Sequence, residues 1–328
     1  MKAAGRYLTV ALGAALAAAG TAAALRPAPS PAAARLGSET ACGAYAGLPP
    51  GWGEAAHAGM VRLDGGRFSL GADNGYAEER PPHEVAVRSF WIDRTEVTNA
   101  QFADFVQATR YVTEAERHGE GVVFRAPPKG QDVAYGGWWH AVRGADWRHP
   151  DGPQSSLHGR EHEPVVQVTR ADAQAYADWL GRSLPTEAEW EYAAKAAGRS
   201  ERLERGPRDA EGRPVANFWQ GVFPYLDAGE DGHTGRAPVG CFAANGFGLH
   251  DLIGNVWEWT ADPWSGRHQA HGTGSAAPNG EHGPLGLIKG GSFLCATDFC
   301  VRYRASARHP QERDVPASHI GFRTVARD

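Results

Sequence analysis

The sequence predicts one α+β domain with little regular secondary structure, on three observations. Glycine (42), proline (22) and tryptophan (11) are abundant while methionine (2) is scarce, which favours turns and irregular chain pinned by aromatic side chains. Three short helices are still legible from their caps and apolar spacing. No repeat period or second linker follows residue 57, so residues 57–328 read as a single folding unit.

Residues 1–35 read as an export segment: Lys2 and Arg6 precede an apolar stretch at 8–25, and a Pro/Ala-rich run follows. No twin-arginine pair is present, which points to the general secretory route. The apolar stretch is also about as long as a short membrane span, so an uncleaved N-terminal membrane anchor is the alternative to a cleaved signal. Residues 36–56 read as a tether, and Cys42 has no lipoprotein-type setting. Apolar residues then alternate through Val61, Leu63, Phe68 and Leu70 around Gly65-Gly66, and Glu84 to Val87 continues the strand signal.

The first helix is announced by Thr98 and Gln101, a capping box ahead of Phe102, Phe105 and Val106 on one face. Thr169 caps the second, with Ala173, Tyr176, Ala177 and Leu180 in helical spacing before Gly181. Thr186 and Glu189 box the third, ahead of Trp190, Ala193, Ala194 and Ala197, with Gly198 closing it. Beyond Gly198 the chain turns glycine-rich, aromatic and acidic through Asn217, Asp231, Asn245, Asp251, Asn255 and Glu258. Such a run suits a solvated loop, or a backbone fixed by calcium through hard oxygen ligands.

A net charge of −5 with both signs interspersed supplies no basic field for phosphate backbones, which argues against a nucleic-acid partner. The 42% hydrophobic content suffices for a core, and four cysteines (42, 241, 295, 300) are too few for disulfides to be its main support. Cys295 and Cys300 follow Gly290-Gly291-Ser292. On spacing alone the pair admits a structural disulfide, the default in an exported chain, or two soft ligands for Cu(I). Zinc would need a second ligand pair that the segment lacks, and Ser292 has no nucleophile-elbow pattern around it.

Five stretches carry a family resemblance: Thr-Glu-Val-Thr-Asn-Ala-Gln-Phe at 95–102, Gly-Ala-Asp-Trp-Arg-His-Pro at 144–150, Leu-Pro-Thr-Glu-Ala-Glu-Trp-Glu-Tyr at 184–192, Gly-Asn-Val-Trp-Glu-Trp at 254–259 and Gly-Phe-Arg at 321–323. In content and order they resemble the formylglycine-generating enzyme (sulfatase-modifying factor) family over residues 60–326. The segments around Trp190 and Trp257 mark the whole superfamily and imply only its fold, a variant of the C-type-lectin fold. The Trp147 segment and two cysteines five positions apart after Gly-Gly-Ser mark the oxidase subgroup.

The resemblance implies a copper-dependent, oxygen-using oxidase that converts the cysteine of a Cys-x-Pro-x-Arg segment, in a still unfolded sulfatase-type polypeptide, to formylglycine. Cu(I) would sit between Cys295 and Cys300, with the substrate cysteine as a third thiolate. Loss of a Cβ hydrogen and hydrolysis of a thioaldehyde would follow, with O2 and a thiol reductant consumed. Ser292 and Trp257 match positions lining this site. The resemblance also implies two structural calcium sites. One uses Asn217, the Phe218 carbonyl, Asp231 and the His233 carbonyl; the other uses Asp251, the Gly254 and Val256 carbonyls, and Glu258.

Departures from the family pattern bear on substrate choice. Ala296-Thr297-Asp298-Phe299 replaces a usual His-x-Ser-Tyr, and His319 stands where Asn is usual. Ala177, Ala194, Ala305 and Thr324 occupy the positions of two disulfides found in some relatives, so both partners of each are missing together. Two rival functions follow: an exported, non-catalytic binding module with Cys295–Cys300 as an inert disulfide, and a family oxidase acting on another thiol. The expected location is periplasmic or extracellular, with membrane contact only through a retained N-terminal anchor.

Overall fold

A computed structural model describes residues 36–128, 130–198, 207–268 and 284–328. The export segment 1–35 lies outside the described residues, as do 199–206 and 269–283. In chain order the elements are α1 (Glu39–Gly43), β1 (Met60–Leu63), β2 (Gly66–Leu70), β3 (His83–Val87), β4 (Phe90–Asp93), α2 (Asn99–Thr109), α3 (Glu114–His118), β5 (Glu120–Phe124) and β6 (Trp139–Arg143). Next come α4 (Arg170–Trp179), α5 (Glu187–Lys195), β7 (Gly221–Val222), β8 (Leu226–Asp227), β9 (Trp257–Pro263), β10 (Leu285–Lys289), β11 (Arg308–Glu312), β12 (Ile320–Gly321) and β13 (Val325–Arg327). Among the described residues no helix is long and apolar enough to cross a membrane.

The three expected helices are α2, α4 and α5, each opened by the expected threonine, whose hydroxyl accepts from the third helical N–H. Their apolar stripes meet: Phe102 lies 5.9 Å from Tyr176 and 5.2 Å from Trp147 by ring centroid, and Trp190 is fully buried. Strands are short because pairing is local, in the hairpins β2–β3, β5–β6 and β7–β8. Two small sheets run β1-β4-β13 and β11-β10-β9-β12, the latter with β12 parallel to β9. Gly65-Gly66 therefore separates strands of different sheets: β1 pairs with β4 and β2 with β3.

Residues 36–56 are no loose tether. Cys42 is buried in a disulfide to Cys241, 199 positions away. The Thr98 hydroxyl donates to the Gly47 carbonyl at 2.5 Å, and Trp52 Nε1 donates to Asp104 at 2.9 Å. The segment lacks apolar periodicity because it is held by one covalent bond, single polar contacts and isolated apolar anchors such as Trp52 against Trp179, none of which leaves a repeating pattern.

Candidate active site

Strand β10 delivers the chain to Gly290 and Gly291, both at positive φ. A Cβ on Gly291 would stand 3.0 Å from the Arg302 carbonyl and the Tyr303 nitrogen, so the doubled glycine lets the returning chain close against it. Ser292 is buried; its carbonyl accepts from the Cys295 N–H at 2.9 Å and its hydroxyl from the Leu294 N–H at 3.3 Å. The Ala296 N–H donates to the Phe299 carbonyl at 2.7 Å, a turn that brings Cys300 back with φ +54°. The two sulfurs end 3.0 Å apart as free thiols.

This pair lines a pocket of about 370 Å³ together with Ser292 and Trp257. All four expected catalytic residues thus share one cavity. Arg302, Trp139, His309, Gln311 and His319 also line it, beside Tyr135 and Phe299. Burial pushes the Cys295 thiol far up, whereas Cys300 is lowered by the hydrogen bond from Cys295 and by Arg302, so Cys300 holds the thiolate more readily. Burial drives His309 down to about 4 and His319 to about 3, and both imidazoles are neutral near pH 7. Two soft sulfurs, one with its thiolate favoured over the other's, at the wall of an open pocket fit a monovalent copper ion.

The Trp147 segment lies elsewhere. Trp147 is buried against Phe102 with Arg148 4.3 Å over its ring, so its part here is packing. Sequence reading missed Trp139, Arg302, His309 and Gln311; only the alternation of His309 and Gln311 along β11, which puts them on one face, could have suggested the last two.

At the first expected calcium site, the Phe218 carbonyl and Asp231 Oδ2 converge on one point, the Gln220 amide nitrogen, and Asp231 Oδ1 accepts from the His233 N–H at 2.9 Å. Asn217 instead turns its amide nitrogen to the Gly235 carbonyl and Asn255. At the second, Glu258 is committed: Arg323 donates to both its oxygens at 2.7 Å and Trp190 Nε1 to one at 2.8 Å. Glu96, absent from the expected set, has a buried Oε2 with no partner, and burial together with Asp251 and Glu258 raises it well above the usual carboxylate range. That surplus of buried negative charge is what a divalent cation would relieve. Among the described residues no three His, Cys, Asp or Glu side chains form a ready metal cluster, so carbonyls would supply much of either shell.

A family model described as "Sulfatase-modifying factor enzyme 1-like domain" matches residues 48–328. A protein named formylglycine-generating enzyme from Thermomonospora curvata is 47% identical over 82% of this chain and 93% of its own. One from Mus musculus, named inactive C-alpha-formylglycine-generating enzyme 2, is 38% identical over 84% of this chain and 87% of its own. PvdO from Pseudomonas aeruginosa superposes with a TM-score of 0.55 at 24% identity, covering 82% of this chain and 94% of that one, which shows the shared fold. The chain belongs to the sulfatase-modifying factor family of formylglycine-generating-enzyme domains.

Proposed function

We propose that this protein is an oxidoreductase that converts a cysteine of a sulfatase-type polypeptide to formylglycine. The observation that carries the reading is the pair of free thiols 3.0 Å apart at the wall of a pocket that also holds Ser292 and Trp257. Family membership alone would not carry it, since one relative is named inactive. In the net change the substrate's thiol-bearing methylene becomes an aldehyde, as its C–S bond and both of its C–H bonds are replaced by one C=O and one C–H. Dioxygen, two electrons and two protons are consumed, and hydrogen sulfide and water are released. The electrons are drawn from a thiol reductant that becomes a disulfide.

Cys295 and Cys300 would hold Cu(I), which supplies one-electron chemistry with dioxygen when bound. Arg302 stands beside Cys300 and favours its thiolate. Trp257 and Trp139 narrow the pocket with flat apolar walls that limit water around the reacting thiol. The Ser292 hydroxyl, hydrogen-bonded to the Leu294 N–H, fixes the turn that carries Cys295. Calcium at the two loop regions would be structural. The protein works outside the cytosol, a reading supported by the Cys42–Cys241 disulfide, which persists in oxidising compartments.

Incubating copper-loaded protein with a Cys-x-Pro-x-Arg peptide, O2 and a thiol reductant tests the reading. The expected product shows the mass loss and aldehyde reactivity of formylglycine. Tight copper binding with no aldehyde would point to the family oxidase acting on another thiol, as the altered 296–299 turn allows.

A further inference from the structure

Two histidines on the pocket wall are unused by the chemistry above. His309 on β11 lies flat against Trp257, centroids 5.6 Å apart and planes at 26°, and His319 lies flat against Trp139 at 4.5 Å and 30°. Each buries Nδ1 without a hydrogen-bond partner, while neither Nε2 meets a protein partner among the described residues. Each ring is held close to the plane of the indole it lies against. Buried N–H groups are left orphaned more rarely than buried acceptors, so the proton resides on Nε2 and a bare lone pair is buried at Nδ1. Both imidazoles then offer the pocket a rigid N–H donor, and neither offers it an acceptor.

We infer that His309 and His319 form a substrate-recognition pair whose Nε2–H groups donate to main-chain carbonyl oxygens of an extended peptide flanking the reacting cysteine. This rests on the polypeptide substrate proposed above. Donor-only recognition suits carbonyls, which every peptide carries at regular spacing, and is indifferent to side-chain identity. The backbone fixes both donors: the Trp257 N–H donates to the His319 carbonyl at 2.9 Å, and His309 is registered opposite Ile288 in the β10–β11 pair. The two rings therefore move only with the sheet that also carries Trp257.

The test measures binding of a fluorescently labelled Ser-x-Pro-x-Arg peptide, which cannot turn over, to the reduced full-length protein. His309→Phe and His319→Phe keep a flat ring on each indole and remove the donor, and each should weaken binding about 5- to 10-fold. His309→Gln and His319→Asn restore an N–H and should recover most of the affinity. A peptide with an ester after the serine, whose preceding carbonyl is a poorer acceptor, should bind wild type more weakly yet lose nothing further in the Phe variant that faces it. Phe variants that bind like wild type overturn the inference and leave the proposed function standing, as does ester sensitivity unchanged in both. Wild-type protein that binds no peptide yet retains copper overturns the polypeptide substrate, and the pair's assignment with it.

Discussion

Arg323 donates through Nε and Nη2 to both oxygens of Glu258, 2.7 Å each, with neither side chain reaching solvent. The same carboxylate accepts from Trp190 Nε1, so the three motifs at 184–192, 254–259 and 321–323 meet at one buried point. Their separate positions in the sequence are thus one structural unit. Arg323→Met would leave that carboxylate buried and unpaired, and we expect a loss of about 3–5 kcal/mol. A denaturant midpoint lowered at unchanged slope measures it, and a shift below about 1 kcal/mol would contradict the account.

Calcium should stabilise the fold by mass action, by roughly 3 kcal/mol when present at a hundred times its dissociation constant. Chelation should lower the melting temperature. Glu96→Gln removes the surplus buried charge beside Asp251 and Glu258, so the variant should respond less to calcium than wild type. An identical melting curve with and without chelator, and no calcium in the purified protein, would remove both sites.

The Cys42–Cys241 bridge closes a long loop, so Cys42→Ser and Cys241→Ser should each cost about 2–5 kcal/mol of stability. Their turnover at moderate temperature should change little, because neither cysteine lines the pocket. Melting and rate measured on the same preparations separate the two effects.

Much of this was legible in the sequence, and for physical reasons. Capping boxes are local, so Thr98, Thr169 and Thr186 announced α2, α4 and α5 within a residue or two. Gly290-Gly291-Ser292 marked the cysteine segment through the family resemblance, and the reason for its glycines is local, a positive φ at both with the returning chain packed close. The Cys42–Cys241 bond was not legible: 199 residues separate its partners, and nothing near Cys42 shows where the chain returns. The buried Glu96 carboxylate gave no signal because an isolated acid in a helix-leading motif carries no spacing pattern, and the Glu258–Arg323 pair gave none because its partners lie 65 positions apart. Trp139 and His309 reach the pocket only through the β5–β6 and β10–β11 pairings.

Glu187 gives a pH signature. Burial alone would raise it, but the hydrogen bond from His268 and the charges of Lys289 and Arg308 outweigh burial and lower it from 4.5 to about 2. A depressed carboxylate contributes stability above its unfolded value, and that contribution is lost as pH falls from about 4.5 towards 2. Other buried acids, such as Asp172 and Asp262, are raised by burial and act in the opposite sense, so the comparison is with Glu187→Gln. The variant should be roughly 3 kcal/mol less stable at pH 7, and the gap should narrow steadily from about pH 4.5 and close near pH 2. A gap constant between pH 7 and pH 3 would show that Glu187 is not held ionised by these partners.

The central claim is that Cys295 and Cys300 are a working pair of soft ligands and not an inert bridge. The most direct measurement is a Cu(I) titration of the fully reduced protein against a competing chromophoric chelator, beside Cys295→Ser and Cys300→Ser, with folding checked by melting. One tightly held Cu(I) per chain is expected, lost in either single variant while the fold is retained, because a hydroxyl is a hard and weakly acidic replacement for a thiolate. Reduced wild-type protein that takes up no Cu(I), or binds it as well without one of these sulfurs, would contradict the claim and favour a non-catalytic binding module.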